Sequence, residues 1–159
     1  MSAAAEKPMR LTLDPEIVQW PETQYVFVEK QGPFSTNAAR AWTELHKLAP
    51  AIAEHNTITG YLSLYRMGPK IYRAGVSVAE VPEELPAGVA YERFAGGKYA
   101  RFVLGGSYAQ LGPATGLVAE AVLQRGLRMR DEYYIEHYVN DPRVTPEDQL
   151  ITHILFPAT

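Results

Sequence analysis

Apolar positions in the first half of the chain follow a helical period over one segment. Between Phe34 and Leu48 they recur every three or four residues, as the buried face of an amphipathic helix requires. Residues 35–37, Ser-Thr-Asn, supply side chains that cap a helix N-terminus, and the residue before Pro50 is biased away from helical backbone. We therefore predict a helix over about residues 35–48 that ends before Pro50.

A second helical stretch follows a similar pattern in the second half. It begins at Ser107 or at Gly112, Pro113 suits its first turn, and Gly126 is a favourable C-terminal stop. Its apolar face consists of Leu117, Val118, Ala121 and Val122. The second helix thus takes the same place in its half as the first helix does.

Strand-like runs rich in Tyr, Ile, Val and Leu surround the two helices. Each helix is preceded by one run and followed by two, with Gly-Pro or Asp-Pro turns between the later runs. The runs span 25–29, 58–65 and 71–78 in the first half, and 99–103, 133–139 and 150–156 in the second. Each half therefore predicts the order strand, helix, strand, strand.

The two halves come into register when residues 17–34 are placed over residues 91–108. Aromatic and glycine positions then coincide, and we call this spacing the repeat offset. The matched pairs are Trp20 with Phe94, Tyr25 with Tyr99, Gly32 with Gly106, and Phe34 with Tyr108. Only two of the eighteen aligned positions are identical, so the shared order of elements carries more weight in the interpretation of the chain as a duplication.

The pattern predicts an α+β fold of two tandem β-α-β-β modules related by a pseudo-two-fold axis, with a mostly antiparallel sheet and two main helices on it. Module one covers about residues 15–80, a connector rich in proline and acids covers about 80–90, and module two covers about 91–157. Because the connector is short, residues 1–159 are expected to form a single domain. Two such modules side by side leave a cleft between them.

Composition and charge remove several classes of protein. The absence of cysteine excludes disulfides, cysteine-type zinc sites and thiol nucleophiles. A formal net charge of −3 provides no basic surface for a polyanion, so we expect no direct nucleic-acid partner. No apolar run approaches the ~18 residues of a membrane span, and the N-terminus lacks a signal-peptide core, so we expect a cytoplasmic protein without a membrane partner.

The histidines and the glycine pairs indicate neither a metal nor a cofactor. No carboxylate or third histidine stands at metal-ligand spacing from the histidines at positions 46, 55, 137 and 153. The Gly-x-Ser-x-Gly elbow of serine hydrolases is missing, and the Gly-Gly pairs lack a phosphate-binding fingerprint. We therefore predict no metal site and no cofactor.

A carboxylate stands in the middle of the tyrosine-rich segment 133–142, YYIEHYVNDP. Alternation along a strand places Tyr134, Glu136 and Tyr138 on one face. At the repeat offset Glu136 lies over Leu62, an apolar counterpart which indicates that this face is at least partly buried. Burial raises the pKa of a carboxyl group and favours a cationic or hydrogen-bonding ligand, or a role as general acid or base.

Glu136 has two alternative interpretations at this point. A charge in an apolar site costs several kcal/mol unless it is paired or solvated. Glu136 is therefore alternatively an ordinary acid on the solvent face of an antiparallel strand, or one partner of an ion pair with Arg66 or Arg73. Both alternatives predict a carboxylate outside any binding pocket.

Three groups of motifs carry a resemblance to a known family. They are Gly32-Pro33-Phe34 with Ala41-Trp42, Gly97-Lys98-Tyr99-Ala100 with Gly106-Ser107-Tyr108, and the run from Ile135 to Pro142 with Thr145-Pro146-Glu147 and the closing strand. The last group is the most specific. Over about residues 15–157 the chain resembles the GyrI-like (gyrase-inhibitor-like) family, which is also found as the effector-binding domain of AraC-type and MerR-type multidrug regulators.

The resemblance implies an aromatic-lined pocket, enclosed by the two modules, for lipophilic and often cationic small molecules. In the family an acidic residue on the central strand of the second module lies in that pocket, and the matching position here is Glu136. The candidate ligand-binding residues are Glu136, Tyr138, Tyr134, Tyr65, Leu62, Trp42, Phe34 and Tyr108. For Trp42, a core position in its helix is the alternative.

Three functions follow from the resemblance. The first is a stand-alone binding protein for lipophilic and often cationic small molecules. The second is a hydrolase or ring-opening enzyme that acts on electrophilic small molecules with Glu136 and Tyr138 as catalytic residues. The third is a gyrase-inhibitor-like interaction protein. Only a short tail precedes Leu11 and nothing follows Thr159, so we expect no helix-turn-helix and no transcription-factor role for this chain alone.

Overall fold

Nine strands form one antiparallel sheet in residues 9–159, the part of the chain that the computed structural model describes. The strands are β1 (Arg10–Leu11), β2 (Glu16–Trp20), β3 (Thr23–Gln31), β4 (Ile58–Arg66), β5 (Ile71–Val78), β6 (Ala90–Phe94), β7 (Gly97–Gly105), β8 (Tyr134–Tyr138) and β9 (Ile151–Pro157). Their order across the sheet is β1-β7-β9-β8-β4-β5-β3-β6, and β2 also pairs with β7. The predicted α+β class with a mostly antiparallel sheet and two main helices is confirmed.

The first helix is longer than its sequence pattern predicts. Helix α1 spans Phe34–His55 and passes through Pro50, so the prediction that it ends before this proline is wrong. Proline removes a backbone donor and destabilises a helix interior by about 3 kcal/mol. Pro50 is exposed, however, while Ala49 and Ile52 beside it are buried against the sheet. Burial of this last helical turn therefore outweighs the local effect of the proline.

The second helix begins in two steps. Ser107 caps a short 3-10 turn, Tyr108–Gln110, by accepting a hydrogen bond from the backbone N–H of Ala109. Helix α2, Leu111–Gln124, follows directly. Gly126 adopts φ 67°, a left-handed conformation that favours glycine, and the helix ends there as predicted.

Both helices lie on the same face of the sheet, which we call the helix side. Around α1 the core contains Leu45, Ile52, Ala74 and Val76, and around α2 it contains Phe102, Val118, Ile154 and Phe156. Tyr134 packs against both clusters and therefore lies between the helices. The middle of the sheet, formed by β4 and β8, is thus the floor of the space between α1 and α2.

The opposite face of the sheet has its own core. Its centre contains Tyr25, Leu62, Tyr99 and Ile135, and residues of β2 and β6 such as Trp20 and Phe94 complete it. The two buried tyrosines each donate a hydrogen bond to a backbone carbonyl, Tyr25 to Leu62 at 2.9 Å and Tyr99 to Tyr133 at 2.6 Å. The sheet is therefore buried on both faces near its centre.

Strands β2 and β6 were not predicted, although they match each other at the repeat offset and have the same length. β2 pairs with β7 of the second half, and β6 pairs with β3 of the first half. Each half therefore supplies an edge strand to the other. Each of these strands pairs with a strand that is distant in the sequence, so the local hydrophobic pattern does not predict the pairing.

The pairing of the central strands reveals how the halves correspond. In each half three residues stand side by side on neighbouring strands: Phe27, Gly75 and Leu62 in the first, and Arg101, Leu155 and Ile135 in the second. Phe27 and Arg101 are separated by the repeat offset of 74 residues (101 − 27). Leu62 and Ile135, the corresponding residues of the central strands, are separated by 73 residues (135 − 62). The correspondence therefore shifts by one residue between the first strand of each half and the central strand.

We expect Gly75→Ala to destabilise the fold by about 1–3 kcal/mol, because overpacking a buried site forces its neighbours to move. A Cβ at Gly75 would lie 2.5 Å from the ring of Tyr25 and 2.6 Å from the carbonyl oxygen of Val26. The ring cannot easily shift, since Tyr25 is fully buried and its hydroxyl is hydrogen-bonded. Urea unfolding measures the change.

Gly116→Ala is the matched control for this substitution. Gly116 lies in α2, and a Cβ there would meet no atom within 4 Å. Alanine should therefore stabilise the helix by about 0.5–1 kcal/mol. A Gly75→Ala variant as stable as the wild type would contradict the close packing of Tyr25 against β5.

Candidate functional site

Glu136 lies on the helix side at the centre of the sheet, directly opposite Ser63 in the pairing of β4 with β8. Because the central strands correspond one residue short of the repeat offset, Ser63 is also the counterpart of Glu136 in the first half. The prediction that placed Glu136 over Leu62 is therefore wrong by one residue. The carboxylate takes the position of a small polar side chain, not of a leucine.

Leu62 does not lie with the other candidate site residues. Side chains alternate along a strand, so Leu62 and Ser63 point to opposite faces. Leu62 is 1% exposed and packs with Tyr25 and Ile135 in the core of the opposite face. The candidate site therefore contains Ser63 and not Leu62.

Four tyrosines flank Ser63 and Glu136 on the helix side. The segment 61–65, YLSLY, pairs with 134–138, YIEHY, so that Tyr61 stands opposite Tyr138 and Tyr65 opposite Tyr134. With the shift of one residue the two segments also correspond to each other, tyrosine to tyrosine and Ser63 to Glu136. The sequence therefore contained this signal, but only at the shorter offset.

A chain of hydrogen bonds runs from Glu136 across the site to α1. The Tyr138 hydroxyl donates to Glu136 Oε1 at 2.9 Å and lies 2.8 Å from Ser63 Oγ. Ser63 Oγ is 2.7 Å from the Tyr72 hydroxyl. The indole Nε1–H of Trp42 donates to Tyr72 at 2.8 Å and to Ser63 at 3.2 Å. Trp42 is therefore part of the site and packs against the core as well.

Burial raises the pKa of the Glu136 carboxyl above its ordinary value of 4.5, while the hydrogen bond from Tyr138 lowers it in part. Within residues 9–159 no arginine, lysine or histidine lies within ion-pair distance of Glu136. Arg66 pairs with Asp131 and Glu132 instead. Glu136 is thus a partly buried acid that the described chain leaves without a cation.

Arg73, the other cation considered for Glu136, lies on the opposite face. It is 8% exposed and pairs with Glu29 at 2.8 Å and Glu92 at 2.6 Å. Its guanidinium also stacks over the rings of Phe27 and Tyr133. The ion-pair interpretation of Glu136 is therefore wrong for both arginines. Glu136 is half-buried on the helix side, which does not match the fully solvated acid of the other interpretation.

The surrounding tyrosines stay neutral and act as hydrogen-bonding groups. Burial, and next the negative charge of Glu136, raise the pKa of Tyr65, Tyr72 and Tyr138 above 10.0. Protonated phenols keep their O–H donors for a carboxylate or a ligand. The hydroxyls of Tyr65 and Tyr108 are buried without a hydrogen-bond partner among the described residues.

Aromatic rings from both halves surround the hydrogen-bond chain. Phe34 makes an edge contact with Tyr65 at 5.8 Å between ring centroids, and Tyr108, the counterpart of Phe34, makes one with Tyr138 at 5.5 Å. Trp42 lies edge-on to Tyr138, and Tyr134 stacks on Tyr65. Such rings offer apolar area and an electron-rich face to a cation.

The structure therefore brings together the predicted residues Glu136, Tyr138, Tyr134, Tyr65, Trp42, Phe34 and Tyr108. It adds Ser63 and Tyr72, which the sequence analysis missed. Tyr72 lies on β5, and only the pairing of β5 with β4 places it beside the central strands.

A groove of about 350 Å³ adjoins one end of this site. It lies between the β4–β5 turn and the segment that leads into β8, and Arg66, Met129, Asp131 and Tyr134 are among its lining residues. Among residues 9–159 no group of three or more histidine, aspartate or glutamate side chains stands close enough to hold a metal ion. No helix in the same range combines the length and the apolar composition needed to cross a membrane.

The sequence profile of the GyrI-like small molecule binding domain matches residues 13–159. The chain belongs to the GyrI-like family. No curated protein matches this GyrI-like chain.

Solved structures share the fold of this GyrI-like domain at low sequence identity. The EcmrR C-terminal domain superposes with a TM-score of 0.75 at 14% identity over 95% of this chain and 98% of that chain. The structure of SAV2435 bound to tetraphenylphosphonium gives 0.68 at 15% identity over 91% and 93% of the two chains. A hydrolase from Listeria innocua gives 0.59 at 14% identity over 93% of each chain. These likenesses establish the fold.

We expect Glu136→Gln to raise the melting temperature of the GyrI-like domain at pH 7. The pKa of Glu136 is raised on folding, so its contribution to stability is fully present below its ordinary value of 4.5 and is lost as the pH rises through the raised value. Glutamine mimics the protonated acid at every pH. The advantage of the variant over the wild type should therefore shrink as the pH falls toward 4.5.

Thermal unfolding followed by circular dichroism between pH 4.5 and 8 checks this expectation. The control is Glu120→Gln, at an exposed position of α2, which should show no such trend. If Glu136→Gln and the wild type differed by the same amount at every pH, Glu136 would not be desolvated in the folded protein.

Proposed function

We propose that this GyrI-like domain binds lipophilic cations on the aromatic surface between α1 and α2, with Glu136 as the complementary charge. The observation that carries the proposal is a partly buried carboxylate which has no cationic partner within residues 9–159 and lies among neutral tyrosines. A desolvated acid of this kind is costly to folding unless a ligand compensates it. A bound cation would supply the missing charge.

The aromatic surroundings support the same proposal. Tyr138, which donates a hydrogen bond to the carboxylate, makes an edge contact with Tyr108 at 5.5 Å, and Phe34 makes one with Tyr65 at 5.8 Å. Apolar burial and cation–π attraction favour large organic cations over small hydrated ions. The related fold of SAV2435 was solved with tetraphenylphosphonium, a cation of this class.

The groove beside Tyr134 offers an approach to this surface. Its lining combines Arg66 and its two acidic partners with the ring of Tyr134. A ligand entering there meets the stacked pair Tyr65 and Tyr134 before it reaches Glu136. Rotation of these rings would admit it.

Titration calorimetry with tetraphenylphosphonium tests the binding function. We expect the wild type to bind and Glu136→Gln to bind at least about tenfold more weakly, as for other partly buried charge pairs. Glu120→Gln controls for the loss of one negative charge from the surface and should leave the affinity unchanged. Equal affinities of Glu136→Gln and the wild type would overturn the role of Glu136, and the absence of binding to the wild type would overturn the proposed ligand class.

Hydrolysis of an electrophilic ligand is a second candidate function, favoured by the hydrogen bond between Glu136 and Tyr138. With an epoxide, Glu136 would take a proton from water as the water oxygen bonds to carbon. The carbon–oxygen bond of the ring would break, and Tyr138 would donate its proton to the released oxygen. A raised pKa makes the carboxylate of Glu136 a stronger base than an exposed one.

Turnover of styrene oxide to its diol, followed by chromatography, tests this second function. If the domain is a hydrolase, Glu136→Gln should abolish turnover while the affinity for a neutral analogue stays the same. Tyr91→Phe serves as a control because Tyr91 hydrogen-bonds to Gln24, on β3 near the β6 edge of the sheet. Turnover no faster than in buffer alone would leave binding as the function.

A further inference from the structure

The first half of the molecule fills the space beside Ser63 with two large side chains. Trp42 from α1 and Tyr72 from β5 close over Ser63, and the three form a hydrogen-bonded triangle with distances of 2.7, 2.8 and 3.2 Å. The indole N–H is the donor that the other two groups share. No polar atom of this triangle is left unpaired.

The second half presents different residues at the corresponding three positions. Ser63 corresponds to Glu136, as shown above. Tyr72 stands opposite Tyr65 on β4, and Thr152 stands opposite Tyr138 on β8, so Thr152 is the counterpart of Tyr72.

The counterpart of Trp42 follows from the buried faces of the two helices. Buried positions recur at the same spacing in both, as Ala41, Leu45 and Ala49 in α1 and as Ala114, Val118 and Val122 in α2. Trp42 follows the first of these positions in α1, and Thr115 follows the first in α2. His46, whose ring contacts that of Trp42 at a tilted angle, corresponds in the same way to Ala119.

Two hydroxyls of the second half are buried without a partner. Thr152 is 0% exposed, and its Oγ1 makes no hydrogen bond within the described chain. Oγ1 of Thr115 is likewise buried and unpaired in residues 9–159. Leaving such a group unsatisfied costs about 1–3 kcal/mol, so native proteins rarely do so without another partner. Both hydroxyls belong to the counterparts of Trp42 and Tyr72, two members of the closed triangle of the first half.

The side chains at these positions are also much smaller. Threonine replaces the indole of Trp42 and the phenol of Tyr72, and alanine replaces the imidazole of His46. The residues at the three corresponding positions of the second half therefore do not supply the side-chain volume that three rings supply in the first. Glu136 is the one carboxylate among the three residues of the triangle and their three counterparts.

We propose that Thr115, Thr152 and Glu136 form a subsite for a planar aromatic cation that carries an N–H donor. The inference rests on the proposed binding function and specifies its ligand class. The ligand ring takes the place that Trp42 occupies in the first half. Its N–H donates to Glu136 and Thr152, as the indole N–H of Trp42 donates to Ser63 and Tyr72.

The chemistry of the three residues explains the selectivity. An ionised carboxylate only accepts hydrogen bonds, and a threonine hydroxyl accepts as well as donates. A protonated nitrogen therefore satisfies both with a charge-assisted bond, which is stronger than a neutral one. A quaternary cation of equal shape supplies the charge but leaves the oxygen atoms unpaired.

Two planar probes separate these cases. At neutral pH 9-aminoacridine is a planar cation with N–H donors, and 10-methylacridinium is a permanent planar cation without one. We expect the wild type to bind 9-aminoacridine about tenfold more tightly, because one unsatisfied buried group corresponds to a factor of this size. Fluorescence titration of both probes, with tetraphenylphosphonium as a third ligand, measures the ratio.

Thr152→Val removes the hydroxyl and keeps the shape of the side chain. This variant should reduce the preference for 9-aminoacridine to about threefold or less and leave 10-methylacridinium binding unchanged. Thr43→Val is the matched control, since Thr43 is exposed on α1 and its hydroxyl bonds to the carbonyl of Ala39. Thr115→Trp, which copies the first half into the second, should weaken both acridines about tenfold or more by occupying the subsite.

The outcomes distinguish this inference from the proposed function. Equal binding of the two acridines by the wild type, with both weakened by Glu136→Gln, would overturn the subsite and leave the binding function in place. Acridine binding that Thr115→Trp does not change would also overturn it. If Glu136→Gln changed the affinity for none of the three probes, the proposed function would be overturned instead. Should Thr115→Trp fail to fold, as judged by circular dichroism, the Thr152→Val ratio decides.

Discussion

The pairing of β4 with β8 is the contact on which the rest of the structure depends. It joins the two halves in the middle of the sheet and sets Ser63 opposite Glu136. Because β2 pairs with β7 and β6 with β3, each half also holds an edge strand of the other. A slip of one residue in the central pair would turn every side chain of that strand to the other face, so both cores act together to define the register.

That register pairs two similar tyrosine-rich segments, whose central residues differ: Ser63 in the first half and Glu136 in the second. In the first half the polar groups of Trp42, Ser63 and Tyr72 satisfy one another and form part of the packed core. In the second half Glu136 keeps a desolvated carboxyl group, and neighbouring hydroxyls have no protein partner in the described chain. Under the proposed function, one half supports the site and the other supplies the groups that would contact the ligand.

The instability of a buried acid is consistent with a binding role. The raised pKa of Glu136 shows that folding disfavours its charged form, which the hydrogen bond from Tyr138 offsets only in part. The large cores on both faces of the sheet compensate for this loss. A ligand with a positive charge would recover the electrostatic free energy that folding leaves unfavourable, and this recovery favours cations over neutral molecules.

The sequence by itself determined the α+β class, the places of both helices, and the position of Glu136 within a tyrosine-rich strand, because period and turn residues are local properties. Only the tertiary structure decided that α1 continues through Pro50, since the burial of Ile52 depends on the sheet. It also decided that Ser63, not Leu62, faces Glu136. The repeat offset shortens by one residue near the 3-10 turn that precedes α2. A comparison of the two halves at one constant offset therefore misaligns the residues that follow this turn. Pairing between strands that are distant in the sequence determines which side chains lie on the same face of the sheet, and this pairing exists only in the folded chain.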